Sequence, residues 1–162
     1  MYSSERNVQM LLSLLKAHKI KKMVLSPGSA NASFVASAQY DGEFELYSSV
    51  DERSAAYIDC GLAEESQGPV VICCTGATAS RNYMPGLTEA YYRKLPVIAV
   101  TATRPIAWVG QNRDQLIDRT VIPKDIAVKS VHLPVIENEQ DEWECNLKIN
   151  DVLLELRRNG GG

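Results

Sequence analysis

One carboxylate stands where the chain passes from an extended run into a helix. Phe44-Glu45-Leu46-Tyr47-Ser48-Ser49-Val50 reads as extended, and Asp51-Glu52-Arg53-Ser54-Ala55-Ala56-Tyr57-Ile58-Asp59-Cys60-Gly61-Leu62-Ala63 reads as the helix that follows. Glu52 therefore falls in the first turn of a helix at the end of a strand, where α/β folds place their ligands. Its neighbours are small or apolar, so a ligand could cover it and exclude water. A glutamate in such surroundings exchanges protons near neutral pH. The plainer account is an acidic residue that complements the helix dipole.

The elements around Glu52 bear on the choice. Apolar positions Val8, Leu11, Leu12 and Leu15 mark one face of a helix over 4–18, with Ser3 or Ser4 able to cap it. Lys21 to Leu25 leads through an apolar run into the turn Ser26-Pro27-Gly28-Ser29, and 30–40 reads as helix up to Asp41-Gly42. The helix at 51–66 ends at Gln67-Gly68-Pro69. Val70-Val71-Ile72-Cys73-Cys74 is continuously apolar, as a parallel strand covered on both faces requires. A helix is predicted over 78–93, then a strand at Val97-Ile98-Ala99-Val100. Alternation at this spacing predicts an α/β fold, a three-layer α/β/α sandwich with a mostly parallel sheet.

Past Thr101 the pattern loosens. Residues 102–125 lack periodicity, and a loop of that length in a compact domain is functional or disordered. Ile126 to Leu133 is predicted as a further strand, 137–146 as an exposed acidic stretch, and Leu147 to Arg158 as a last helix. Gly160-Gly161-Gly162 reads as a frayed end or linker. The expected division is a domain over 1–135 and a C-terminal extension or linker over 136–162.

Four loops leave the carboxyl edge of such a sheet: Ser26–Asn31, Asp51–Ser54, Thr75–Asn82 and Thr101–Arg104. All are rich in small, hydroxyl or charged residues, and Gly28 and Gly76 would admit close approach of backbone to a ligand. Any one of them is explained by caps and turns. Four on one edge flanking a glutamate point equally to a binding site.

Composition narrows the function classes. The 162 residues suit one core, with 45% hydrophobic and 23% charged residues. A net charge of -3 gives no footprint for nucleic acid or an anionic membrane, and no apolar run approaches the ~20 residues that span a bilayer. Cys60, Cys73, Cys74 and Cys145 show no metal-ligand spacing and read as free thiols in a reducing cytosol; Cys73 and Cys74, adjacent on one strand, should face opposite sides. His18 and His132 have no evident partner. No Gly-x-Gly-x-x-Gly follows the first strand, and neither a P-loop nor a nucleophile elbow is present.

Ser26-Pro27-Gly28-Ser29, Asp51-Glu52-Arg53-Ser54-Ala55-Ala56, the stretch Thr75 to Asn82, Leu95-Pro96-Val97-Ile98-Ala99-Val100-Thr101-Ala102-Thr103-Arg104-Pro105 and Gln115-Leu116-Ile117-Asp118 occur in a characteristic order. Over roughly residues 5–135 the chain resembles the N-terminal, pyrimidine-binding domain of thiamine-diphosphate-dependent enzymes. The resemblance is greatest to a synthase of menaquinone biosynthesis. It implies that Glu52 hydrogen-bonds a ring nitrogen of the cofactor's aminopyrimidine and activates it. It implies that Pro27, Gly28, Thr75, Gly76, Thr78 and Asn82 surround that ring, and that Ser29, Arg104 and Gln115 face substrate carboxylates and hydroxyls. For Arg104 the alternative is a surface ion pair.

The implied chemistry is decarboxylation of a 2-oxo acid with transfer or cleavage of a carbon–carbon bond, in a cytoplasmic homodimer. The implied cofactors are thiamine diphosphate and Mg²⁺. The Mg²⁺ and diphosphate belong to a second domain with a Gly-Asp-Gly…Asn motif, which this sequence lacks. The chain thus reads as part of a longer enzyme or one subunit of a split one. Departures are visible. The family synthase has Ser-Arg-Ser where this chain has Ser29-Ala30-Asn31, and Thr-Ser-Gly-Thr where it has Thr75-Gly76-Ala77-Thr78. Asp114-Gln115 replaces Asn-Gln, and Arg81 replaces a small residue before Asn82. These keep open a relative with a different acceptor, a simple 2-oxo-acid decarboxylase or lyase, a non-catalytic assembly module, and a binding protein for another small ligand.

Overall fold

The computed structural model describes residues 2–119, 121–156 and 158; the triple glycine lies outside them. Four strands, β1 (Lys22–Leu25), β2 (Glu45–Ser48), β3 (Val70–Thr75) and β4 (Val97–Ala102), form one parallel sheet in the order β2-β1-β3-β4. Leu25 pairs with Ser48 on one side and with Cys73 on the other, so β1 and β2 end level while β3 runs on to Thr75 beside β4. The chain runs outward from β1 to β2, then returns across to β3 and β4. The loops after β1 and β3 therefore diverge, which is the switch point where doubly wound sheets open a crevice.

Helices α1 (Arg6–Ala17), α2 (Ala32–Asp41) and α6 (Glu139–Glu155) cover one face, and α3 (Glu52–Ser66), α4 (Thr78–Asn82) and α5 (Met84–Arg93) cover the other. Each strand feeds both layers because its side chains alternate. Met23, Leu25, Val71, Cys73 and Ile98 join Leu12, Leu15, Phe34, Cys145, Ile149 and Leu153 in one core. Val24, Val70, Ile72 and Cys74 join Ala55, Ala56, Ala63, Ala79, Tyr83 and Leu87 in the other. Cys73 and Cys74 face opposite sides as their adjacency requires, and all four cysteines are free thiols and buried.

The sequence and the structure differ at three elements. The helix predicted over 78–93 is two helices, α4 and α5, meeting at Tyr83; Pro85 opens α5 and cannot continue the hydrogen-bond ladder of the turn before it. The strand predicted from Ile126 to Leu133 is absent, and that segment, with His132 in it, is irregular. Its apolar residues are used differently: Leu133 and Ile136 pack on the α1 side and Ile126 on the α3 side. The acidic stretch 137–146 is not a bare exposed run, and the last helix starts well before Leu147. Asn138 caps α6 by accepting from the Asp141 backbone N–H at 3.0 Å, while Asp141 accepts in return from Asn138. Glu139, Asp141 and Glu142 then suit the positive end of the helix. Among the described residues no helix is long and apolar enough to cross a membrane.

Candidate active site

Asp51 organises the start of α3. It accepts from the Ser54 backbone N–H (2.8 Å) and the Ser54 hydroxyl (2.7 Å), the pattern of an N-cap aspartate. These bonds, with a further one from Asn82, hold its carboxyl below the usual aspartate range. Glu52, the next residue, is half-buried and points into an open cavity of about 540 Å³ lined also by Thr75, Thr78, Ala79, Arg81 and Asn82.

Asn82 fixes both acids. Its Nδ2 donates to Asp51 Oδ1 and to Glu52 Oε2, each at 3.0 Å. No donor among the described residues reaches Glu52 Oε1. Asn82 can do this because α5 lies close against α3: a Cβ on Gly86 would overlap the Ala56 side chain, and the Cys60 thiol donates to the Gly86 carbonyl at 3.4 Å. That packing carries α4, and Asn82 at its end, up to the first turn of α3.

Gly28 and Gly76 serve the geometry of the same edge. A Cβ on Gly28 would overlap Thr75 Cγ2, so glycine lets the β1 turn close onto the end of β3. A Cβ on Gly76 would stand 2.9 Å from the Ala102 carbonyl oxygen. The next residue, Ala77, is buried with φ 55 and ψ -126, a conformation that favours glycine. Asn31, nearly inaccessible, accepts from the Gly28 N–H at 2.8 Å and donates to the Ser26 carbonyl at 3.0 Å, which fixes the β1 turn from within.

Beneath the cavity runs a polar chain. Arg119 Nη2 donates to the Tyr83 hydroxyl at 2.9 Å, and that hydroxyl shares a 2.6 Å hydrogen bond with Thr101 at the end of β4. Burial pushes the Tyr83 hydroxyl's pKa up, against the pull of the Arg119 guanidinium. Burial likewise drives the Cys74 thiol up to about 12, with the Glu52 charge acting in the same direction. Arg81 Nη2 donates to the Asp118 carbonyl at 3.1 Å. Arg81 and Arg119 thus draw the irregular segment after β4 back onto α4 and α5.

Of the residues singled out in the sequence, Glu52, Thr75, Thr78 and Asn82 converge on one cavity, and Gly28 and Gly76 pack directly behind it. Pro27 sits exposed on the β1 turn. Ser29, Arg104 and Gln115 are exposed and do not line the cavity; Ser29 opens a short 3-10 turn, Arg104 follows β4, and Gln115, with φ 55, lies in the irregular segment. Sequence reasoning named the loops that hold Asp51 and Thr101 but gave neither residue a role, and it missed Tyr83 and Arg119, which carry no motif. Among the described residues no group of three or more His, Cys, Asp or Glu side chains could hold a metal ion.

A parallel sheet in this order, with a helix-terminal carboxylate at its carboxyl edge, defines an α/β protein with a small-ligand site. The chain belongs to the family described as thiamine pyrophosphate enzyme, N-terminal TPP binding domain, which matches residues 6–122. A relative from Bacteroides thetaiotaomicron, 2-succinyl-5-enolpyruvyl-6-hydroxy-3-cyclohexene-1-carboxylate synthase, is 43% identical over 162 residues, covering 100% of this chain and 29% of the relative. The protein of that name from Porphyromonas gingivalis is 37% identical over 153 residues, 94% of this chain and 26% of its own length. The chain thus spans under a third of the curated relatives it matches. The crystal structure of benzoylformate decarboxylase from Polynucleobacter necessarius superposes with a TM-score of 0.61 at 21% identity, over 71% of this chain and 21% of that one, which shows the shared fold.

The cavity suits the ring end of thiamine diphosphate. One Glu52 oxygen is tied down by Asn82 while the other is left to a ligand, and the remaining wall is small at Thr75, Thr78 and Ala79, with Arg81 exposed at the rim.

Proposed function

We propose that this chain is the pyrimidine-binding part of a thiamine-diphosphate-dependent enzyme that decarboxylates a 2-oxo acid and transfers the resulting fragment, as a synthase of the kind its relatives are named for. The observation that carries the reading is Glu52, at the first turn of α3, aimed into the cavity with Oε2 bound by Asn82 and Oε1 without a donor among the described residues. Thiamine diphosphate, when bound, supplies a carbon nucleophile and an electron sink. Glu52 Oε1 would hold and share a proton with a ring nitrogen. Asn82 and Asp51 orient Glu52, Thr75 and Thr78 flank the ring, and Gly28 and Gly76 keep the β1 and β3 turns close behind it.

The reading extends to the surroundings. Mg²⁺ and the diphosphate would be held by a second domain, on the same or a partner chain, in a cytoplasmic homodimer. Residues 1–135 would form the pyrimidine-binding unit, and 136–162 an extension docked on α1 through α6. Ser29, Arg104 and Gln115 would reach the substrate from the rim of that assembled site.

The test is Glu52→Gln in the complete enzyme. Turnover is expected to vanish while circular dichroism and melting stay those of the wild type. Turnover near the wild-type rate would overturn the assignment. Calorimetry with thiamine diphosphate and Mg²⁺, with and without the diphosphate-binding domain, should show binding that depends on that domain. Absence of binding in both cases favours a non-catalytic assembly module.

A further inference from the structure

Arg81 shares the Glu52 cavity and is not part of the arrangement that holds Glu52. It lies on α4, is exposed, and uses Nη2 on the Asp118 carbonyl (3.1 Å) and Nη1 on the Met84 sulfur (3.8 Å), a weak acceptor. A guanidinium carries five N–H donors. None of the ion pairs among the described residues involves Arg81. A cation at a cavity wall with donors to spare and no carboxylate of its own is built to meet an anion from outside.

The turn after β1 offers no competing cation. It reads Ser26-Pro27-Gly28-Ser29-Ala30-Asn31, and Asn31 is buried and spent on backbone. Arg104 is a cation too, but it does not line the cavity. The relatives are named for a product whose ring carries a carboxylate, an enolpyruvyl group with a second carboxylate, and a succinyl group; the ring before it receives the succinyl group has the first two. An acceptor of that kind is a dianion, and a protein that holds it needs cations on its side of the site.

We propose that Arg81 is a specificity-determining residue that binds a ring carboxylate of a dianionic acceptor at the mouth of the Glu52 cavity. This deepens the function proposed above and rests on it. The Asp118 carbonyl holds one N–H of the guanidinium, and the N–H groups not used there or on Met84 are left to an incoming carboxylate.

The test is calorimetry on the complete enzyme with isophthalate, a ring dicarboxylate, as probe, alongside thiamine diphosphate. The variants are Arg81→Gln, which removes the charge, and Arg81→Lys, which keeps it and loses the fork. Isophthalate binding should weaken roughly 10- to 100-fold in Arg81→Gln and less in Arg81→Lys. Circular dichroism and melting of both variants should stay those of the wild type, a readout that a merely structural role would move. Equal isophthalate affinity in all three proteins, or no saturable binding to the wild type, overturns the proposal. If thiamine diphosphate still binds in that case, the reading of the Glu52 site stands. If the wild type binds neither ligand, both fall.

Discussion

Asp59 is fully buried on α3, and neither of its carboxyl oxygens has a hydrogen-bond partner among the described residues. Burial raises its pKa well above the usual aspartate value. In the unfolded chain the same group ionises near pH ~3.9. The folded protein therefore retains a proton that the unfolded chain releases, and stability falls as pH rises through the window between the two values. Below that window the group is neutral in both states, and only the cost of burying an unpartnered neutral carboxyl is left.

The substitution Asp59→Ala removes this term. An unpartnered buried polar group costs ~1–3 kcal/mol. Alanine in place of aspartate inside a helix adds ~0.5 kcal/mol. Against these, roughly 30 Å³ is emptied, at ~24 cal/mol per Å³ a loss of ~0.7 kcal/mol. The same face of α3 already carries Ala55, Ala56 and Ala63 buried, so alanine suits the site. These terms, none of which depends on pH, net to a gain of about 1–3 kcal/mol, or about 2–12 °C in Tm for a chain of this length, and the retained proton enlarges the gain at pH 7.5. Thermal unfolding followed by circular dichroism at pH 7.5 and pH 4 measures it, and the gap should shrink toward pH 4. A variant that melts below the wild type at pH 7.5, or a gap that does not depend on pH, would show that the carboxylate is satisfied in the protein and refute the reasoning.

Two further outcomes follow from the same coordinates. Ala77→Gly should stabilise the chain by about 1 kcal/mol, because relief of a φ 55, ψ -126 alanine outweighs the added freedom of glycine in the unfolded state; urea unfolding reads it, and a loss of stability would be inconsistent with the strain. Burial raises the thiols of Cys60 to about 11 and of Cys73 and Cys74 to about 12, and Cys145 is raised as well. Iodoacetamide at pH 8 should therefore leave all four unmodified in the native protein and modify all four in urea, as mass spectrometry would record; rapid native labelling would show that a core strand is open.

The sheet was legible because its strands carry their environment in their composition. Val70 to Cys74 is apolar at every position, which only a strand covered on both faces requires, and it is one of the two inner strands. Glu52 was legible because a strand, an aspartate cap and a small-residue helix occur in immediate succession. The irregular segment after β4 was not. Ile126, Val128, Val131 and Leu133 make the segment apolar and β-branched enough to read as a strand, yet among the described residues it joins no sheet, Val128 is left exposed, and Ile126 and Leu133 are shared between opposite faces of the molecule. Periodicity reports that a residue wants burial, not which layer buries it. The contact between Asn82 and Glu52 joins residues 30 apart, and the Arg119–Tyr83–Thr101 chain joins three elements. Both depend on strand order and on the close approach at Gly86, which no local pattern encodes. Arg81 was visible only as a departure, and its place in the cavity gave the departure a meaning.

The proton sharing proposed for Glu52 needs shelter from water, since a solvated carboxylate holds its proton only in acid. This chain supplies part of that shelter. The turns at Gly28 and Gly76 close the back of the site, and Ala79 gives one apolar wall. The cavity is open on its remaining side, Thr78 and Arg81 are exposed at its rim, and Glu52 itself is only half-buried. The sequence led us to expect a dry pocket made by the small neighbours of Glu52, but those neighbours, Ala55 and Ala56, face inward to the core and not into the cavity. On the proposed reading the missing wall must come from the ring of the cofactor and from the domain that holds its charged end. Activation would then be coupled to assembly: the carboxylate is aimed in advance by Asn82 and Asp51, and it becomes a proton partner only when a second surface closes over it.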